Sequence, residues 1–178
     1  MLFSVIACAG AMPGASPDPW VGPAIAAIAA VAWAVVLAWA SVSDMRRRII
    51  PNAAVAAGIV VWLAALCASE VAGIDVRTAA AEGLAGALLL GAGMLVFCVV
   101  FERAAGRASM GGGDIKLFAM VALYLGVMGA LASVMLACIL AIVVSFARHA
   151  PDEPFAFGPF ISTSAAALAI CSVVRAFL

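Results

Sequence analysis

The stretch WVGPAIAAIAAVAWAVVLAWASVSD, from Trp20 to Asp44, decides the fold class because its only charged residue is its last one. A membrane-spanning helix needs about 20 consecutive, mostly apolar residues, and this stretch supplies them. Further uncharged runs extend from Ala53 to Ser69, from Gly83 to Phe101 and from Phe155 to Val174. The sequence therefore predicts an all-α fold, a polytopic membrane helical bundle.

The composition supports the same fold class. Of the 178 residues, 68% are hydrophobic and 10% are charged, and the mean hydropathy is +1.27. Soluble domains are about 45–50% apolar and about 25% charged, so a soluble domain, a disordered chain and a nucleic-acid-binding protein are excluded. Nine basic and nine acidic residues cancel, and the partner that the composition predicts is the lipid bilayer, with no nucleic acid.

The cysteines and the single histidine predict neither a metal site nor a cofactor. The five cysteines are scattered through apolar stretches, at Cys8, Cys67, Cys98, Cys138 and Cys171. They form no C-x-x-C pair and no Cys/His cluster, which argues against a zinc site and against a disulfide framework. We interpret them as small packing residues of helices.

The number of spans depends on one long uncharged run, from Leu117 to Ala147. It is too long for one ordinary span and short for two. Gly126 and Gly129 offer a turn that would divide it into two short helices, which gives six transmembrane helices in total. One long, tilted helix is the alternative and gives five. We favour six.

The distribution of lysine and arginine predicts the orientation, because cytoplasmic loops carry an excess of both. With six spans, seven of the nine basic residues lie on the face that carries Asp44 and Asp114, and two lie on the other face. That first face is therefore predicted to be cytoplasmic. Five spans give the same ratio, with Arg148 and Arg175 exchanged, so charge alone does not decide the span count.

Residues 1–19 differ from the rest of the chain. Met1 to Met12 is apolar but too short to span a membrane, and a piece rich in Pro, Gly and Ser follows it. We expect a short N-terminal leader or interfacial segment over residues 1–19 and one membrane-embedded domain over residues 20–178. Whether the first segment is retained in the mature chain stays open.

Two aspartates lie at junctions between a loop and a helix on the predicted cytoplasmic face. Asp44 ends the first helix and Asp114 opens the fourth. Each has a simple structural interpretation, since Asp44 precedes three arginines and Asp114 suits a helix N-cap. Ionisable groups at membrane depth are costly, however, and are usually functional. Two facing carboxylates can share a proton and activate water for peptide hydrolysis, so we predict Asp44 and Asp114 as a catalytic pair.

Three motifs in order resemble the type IV prepilin peptidases. They are D-x-R-x-x-x-I-P-N at Asp44–Asn52, G-x-G-D-x-K-L at Gly111–Leu117 and F-G-P-F at Phe157–Phe160. The resemblance implies a six-helix aspartic peptidase of the G-x-G-D type that cuts the short leader from pilin precursors at the cytoplasmic membrane face. On this pattern Asp44 and Asp114 are the catalytic residues, and no metal or cofactor is needed.

The resemblance also narrows the substrate and the location. Larger family members carry a cysteine-motif region and methylate the new pilin N-terminus. That region is missing here, so N-methyltransferase activity is not expected. A short member resembles the peptidases of tight-adherence (Flp-type) pilus systems or the archaeal preflagellin peptidases. The high Ala and Gly content favours a bacterium, and hence prepilin or pseudopilin substrates at the inner, cytoplasmic membrane.

The residues around the aspartates are expected to bind substrate or to support the loops. They are Arg46, Pro51, Asn52, Gly111, Gly113, Lys116, Gly158 and Pro159. Pro51 and Asn52 are expected to start the second helix. Lys116 is expected to hold the loop or tune the pair, or else to be a topology charge. Gly158 and Pro159 are expected to break the entry to the last helix and leave backbone groups free for substrate.

Two alternatives to a prepilin peptidase stay open at this point. A broader G-x-G-D protease would cut inside other transmembrane helices, but the D-x-R-x-x-x-I-P-N motif argues against it. A small membrane carrier or assembly factor would use its interfacial acids to relay protons or to fix topology. Carriers usually bind near the middle of the membrane, between broken helices, whereas both aspartates here are predicted at one face.

Overall fold

The computed structural model describes residue 2 and residues 20–106, 111–148 and 157–177. Every element in this part of the chain is a helix, which confirms the predicted all-α class. The five long helices are α1 (Val21–Arg47), α2 (Asn52–Val71), α3 (Arg77–Ala105), α4 (Gly112–Arg148) and α5 (Gly158–Phe177). The helices α1 to α4 are long and apolar enough to cross a membrane, whereas the apolar part of α5 is shorter.

Of the predicted leader or interfacial segment, only Leu2 is described, and its side chain is buried. The other residues of that segment lie outside the described part of the chain. The five helices correspond to the predicted apolar runs.

The connection between α1 and α2 is short and sharply turned. Arg48 adopts left-handed backbone angles, and its N–H donates to the Asp44 carbonyl at 2.8 Å, which ends α1. Pro51 is extended, with φ −67° and ψ 137°, and α2 begins at Asn52. Because a proline fixes φ and lacks an N–H, it suits a helix entry. The predicted helix start at Pro51 and Asn52 is confirmed.

Helix α4 is interrupted at Gly126, where φ is 67° and ψ is −175°. This region of backbone angles is essentially restricted to glycine. The predicted change of geometry in the long uncharged run is therefore present at Gly126. Gly129, the other candidate, remains in helical geometry.

The first half of α4 forms the centre of the bundle. From Leu117 to Leu125, every side chain except that of Ala119 is buried. The ring of Tyr124 stacks on Trp33 of α1, with ring centroids 4.5 Å apart. Its hydroxyl donates to the Gly58 carbonyl of α2 at 2.6 Å. Tyr124 thus ties the first half of α4 to α1 and α2.

Glycines allow α3 to approach the backbone of α4 closely. A Cβ atom at Gly83 would collide with the Leu123 carbonyl oxygen, and one at Gly86 would lie 3.1 Å from the carbonyl carbon of Gly126. Small residues let membrane helices pack backbone to backbone. Gly83 and Gly86 therefore have a packing role between α3 and α4.

Candidate active site

Asp44 lies on the buried face of α1, near its C-terminal end. The buried side chains of this face recur every three or four residues, at Trp33, Leu37, Ala40 and Asp44. Asp44 is only 7% exposed. The helix therefore carries a carboxyl group inward at a position that continues an otherwise apolar stripe.

Asp114 lies in the first turn of α4 and is half-buried. Its backbone N–H donates to the Gly111 carbonyl at 3.0 Å, which closes the first turn. Gly113 packs against the loop after α1, since a Cβ atom there would lie 3.1 Å from Cβ of Ile50. Gly113 thus lets the start of α4 pack against the connection between α1 and α2.

Both aspartates line one cavity of about 410 Å³. The Asp44 and Asp114 carboxyl groups are close enough to interact electrostatically. The cavity is formed by the end of α1, the connection to α2 and the start of α4. Its lining residues are Asp44, Arg48, Ile49, Ile50, Pro51, Asn52, Gly111, Gly112, Gly113, Asp114 and Lys116.

The last helix contacts one of the two aspartates. The N–H of Gly158, the first residue of α5, donates a 2.9 Å hydrogen bond to Oδ2 of Asp44. Gly158 is itself buried. From the sequence, we expect backbone groups at this point to be free for substrate. That expectation is wrong for the Gly158 N–H, because Asp44 accepts it.

A second polar contact joins the helices at the mouth of the cavity. Lys116 Nζ donates to Asn52 Oδ1 at 2.9 Å, and both residues are exposed. The contact links the first turn of α2 to the second turn of α4.

The structure brings together most of the residues that the sequence predicts. Seven of them line the cavity, namely Asp44, Pro51, Asn52, Gly111, Gly113, Asp114 and Lys116. Gly158 contacts Asp44 instead. Two predicted residues are not among the lining residues: Arg46 is exposed in the last turn of α1, and Pro159 is half-buried in the first turn of α5.

The cavity has four lining residues that are not predicted as site residues from the sequence: Arg48, Ile49, Ile50 and Gly112. Arg48 faces the cavity because it is the residue at which α1 ends and the chain turns. In the sequence, its position just before an Ile-Ile-Pro segment indicates that the helix ends there. Gly112 lies between two predicted glycines and carries no separate signal.

A bundle of helices long enough to cross a membrane, with two carboxyl groups on one cavity, defines a candidate hydrolase of the membrane. The description "Type IV leader peptidase family" belongs to the family profile that matches residues 31–146, more than half of the chain. The chain therefore belongs to the type IV leader peptidase family, which implies a protease with prepilin-type substrates. The matched residues include both aspartates and end before Gly158.

Comparison with curated proteins and with solved structures found no match.

Proposed function

We propose that the protein is a membrane aspartic endopeptidase that removes the short leader of type IV, Flp-type prepilins at the cytoplasmic membrane face. The observation that carries the proposal is the convergence of Asp44 and Asp114 on one cavity. The two residues belong to different helices and are separated by the whole of α2 and α3. An aspartate that only fixed the membrane topology of its helix would not need a second carboxyl group beside it.

The proposed reaction is general acid–base hydrolysis by the two aspartates. A water molecule between the carboxyl groups loses a proton to the ionised one while its oxygen attacks the scissile carbonyl carbon. The other carboxyl group gives its proton to the carbonyl oxygen. The carboxyl group that took the proton of the water then gives it to the leaving nitrogen as the C–N bond breaks, and the other carboxylate takes back a proton from a hydroxyl of the tetrahedral intermediate. Because one proton is shared by the pair, the two groups are restored together.

The surroundings of the pair suit an extended peptide. Gly111, Gly112 and Gly113 line the cavity beside Asp114, and residues without side chains let a peptide backbone approach closely. A volume of about 410 Å³ lies within the range of about 300–1,000 Å³ that ligand sites usually have. The helices below the cavity would run beside the hydrophobic helix that follows the leader of a prepilin.

We also propose six spans, two of them within α4. Ser133 in the second half of α4 hydrogen-bonds Ser164 in α5, with 3.0 Å between the hydroxyl oxygens. Ser164 lies about 9 Å along α5 from Gly158, at the cavity end of the bundle. A straight α4 would carry Ser133 about 28 Å away from Asp114. A reversal at Gly126 would return the chain toward the cavity end, and the contact between Ser133 and Ser164 therefore supports two spans.

The proposed location is the bacterial inner membrane, with the cavity facing the cytoplasm. The support is the charge bias, since the loops that carry Asp44 and Asp114 hold most of the lysines and arginines. Positively charged loops of this kind stay in the cytoplasm.

The test uses purified protein in detergent or lipid with a candidate Flp-type prepilin as substrate. Wild type, Asp44→Asn and Asp114→Asn are compared for loss of the leader by mass spectrometry. We expect wild type to cut after a glycine without adding the mass of a methyl group, and both variants to be inactive. Folding of each variant is checked by its elution as a single species and by its thermal unfolding.

Two outcomes would change the conclusion. Cleavage that survives in either Asp→Asn variant would overturn the two-aspartate mechanism. A folded wild type that cuts no prepilin would contradict the peptidase and favour a carrier or an assembly factor.

A further inference from the structure

We propose that Gly158 is a positioning residue of the active site. Its N–H fixes Oδ2 of Asp44, and its lack of a side chain makes room for that carboxyl group. The inference rests on the proposed function, because it assigns Asp44 a part in the hydrolysis. Gly158 lies beyond residues 31–146, which match the family, and its role toward Asp44 is argued from the geometry.

The hydrogen bond gives the first N–H of α5 an acceptor and also restrains the carboxyl group of Asp44. The first N–H groups of an α-helix have no acceptor within the helix. Gly158 is the first residue of α5, and Asp44 accepts its N–H at 2.9 Å. Asp44 therefore acts as the cap of a helix that begins 114 residues later. The same contact restrains the rotation of the Asp44 carboxyl group.

The absence of a side chain at position 158 is required by Asp44 itself. A Cβ atom there would lie 2.7 Å from Oδ2 and 3.1 Å from Cβ and Cγ of Asp44. Gly158 is not among the residues with positive φ, so its backbone does not demand glycine. The close approach of the Asp44 carboxyl group is the reason that we find for glycine.

Aromatic packing holds this part of α5 in place. Phe157 lies just before Gly158, and its ring centroid is 6.3 Å from that of Phe118 in α4. Phe118 is 1% exposed. The peptide that contacts Asp44 is therefore anchored to the helix that carries Asp114, and the three elements of the site are held relative to one another.

The catalytic consequence concerns the second oxygen of Asp44. With Oδ2 held by Gly158, Oδ1 is the Asp44 oxygen left to take part in the proton transfer, whichever of the two roles Asp44 has. A displacement of about 1 Å at a reacting group can cost on the order of 100-fold in rate. A methyl group at position 158 would cause a displacement of this kind.

The kinetic test compares Gly158→Ala with Gly93→Ala. A Cβ atom at Gly93 would meet no atom of the described residues within 4 Å, and Gly93 lies in α3, away from the cavity. We expect Gly158→Ala to lower kcat by about 100-fold, with a KM that changes by less than about twofold. Rates are normalised to the folded protein. Gly93→Ala is expected to cut at the wild-type rate.

A second measurement examines the contact without relying on activity. Hydrogen exchange of the Gly158 amide is followed by mass spectrometry in wild type, Asp44→Asn and Asp44→Ala. Asparagine keeps an oxygen that accepts the N–H, and alanine does not. We expect the amide to exchange at least about tenfold faster in Asp44→Ala than in the other two proteins.

The outcomes separate this inference from the proposed function. A wild-type kcat in Gly158→Ala, or equal exchange in all three Asp44 proteins, would overturn the positioning role. A loss of rate in Gly158→Ala that only follows the loss of folded protein would overturn it too. If the folded wild type cuts no prepilin, the proposed function fails and the catalytic role of Gly158 fails with it, while the exchange measurement still decides the contact with Asp44.

Discussion

Lys116 donates a hydrogen bond of 2.9 Å from Nζ to Oδ1 of Asn52, across 64 residues of sequence. The bond joins two helices that begin on either side of the cavity. Both side chains also line the cavity. We interpret the pair as a clasp that fixes the distance between the start of α2 and the start of α4, and hence the width of the cavity mouth.

The clasp predicts an energetic coupling between Lys116 and Asn52. A double-mutant cycle with Lys116→Met and Asn52→Ala is expected to give a coupling of about 1 kcal/mol in the free energy of unfolding. The pair is exposed, which keeps the value small. As a control, Arg77→Met and Asn52→Ala are expected to be additive, because Arg77 begins α3 and is not among the cavity residues. Additivity in the first cycle would exclude the clasp.

Alanine substitutions at Gly83 and Gly93, both in α3, are expected to change the stability in opposite directions. Gly83→Ala places a methyl group against the Leu123 carbonyl oxygen, a backbone atom that cannot move alone. It is expected to cost about 1–3 kcal/mol in the free energy of unfolding. Gly93→Ala enters open space and is expected to gain up to about 1 kcal/mol from helix propensity. Thermal unfolding of both variants in the same detergent checks the pair, and equal shifts would contradict the close packing of α3 on α4.

Removal of the Tyr124 hydroxyl is expected to lower the stability of the protein without changing its catalytic rate. The hydroxyl donates to the buried Gly58 carbonyl at 2.6 Å, and Tyr124→Phe removes only this donor. We expect a loss of about 1 kcal/mol in the free energy of unfolding. The rate of leader removal per folded molecule is expected to stay at the wild-type value, because the stacking on Trp33 is kept. A wild-type stability would show that this bond contributes nothing.

The pairing of Asp44 with Asp114 was accessible from the sequence because of where the charges lie. Asp44 directly follows one uncharged run and Asp114 lies three residues before another, and the two runs between them place both aspartates at one face. The contact between Asp44 and Gly158 was not accessible. It joins a side chain to a backbone N–H in another helix. Every residue except proline has a backbone N–H, so the sequence does not identify the donor.

The remaining differences between the predicted and the observed site depend on local backbone geometry, such as the exact residue at which a helix ends. Arg46 belongs to the D-x-R pattern, yet α1 continues to Arg47 and leaves Arg46 exposed, while Arg48 turns toward the cavity. Two glycines three residues apart were equal candidates for the turn in α4. Only the backbone angles distinguish Gly126 from Gly129, whose own environment is the side chain of Leu125.

The last prediction tests whether α4 contains two spans. Single cysteines are introduced into a cysteine-free background at Met128 and Ala147, both of which are exposed. Six spans place Met128 at the outer face and Ala147 at the cytoplasmic face. A membrane-impermeant maleimide is therefore expected to label Met128→Cys in intact cells and Ala147→Cys only after the membrane is opened.

Two control positions calibrate the labelling of α4. Asp75→Cys lies in the predicted outer loop and should react in intact cells, whereas Arg103→Cys, near the predicted cytoplasmic end of α3, should not. If Ala147→Cys reacts in intact cells and Met128→Cys stays unlabelled even after the membrane is opened, α4 crosses once and there are five spans. Gly158 would then begin α5 on the outer face, which is incompatible with its hydrogen bond to Asp44. The labelling pattern therefore tests the topology and the architecture of the active site together.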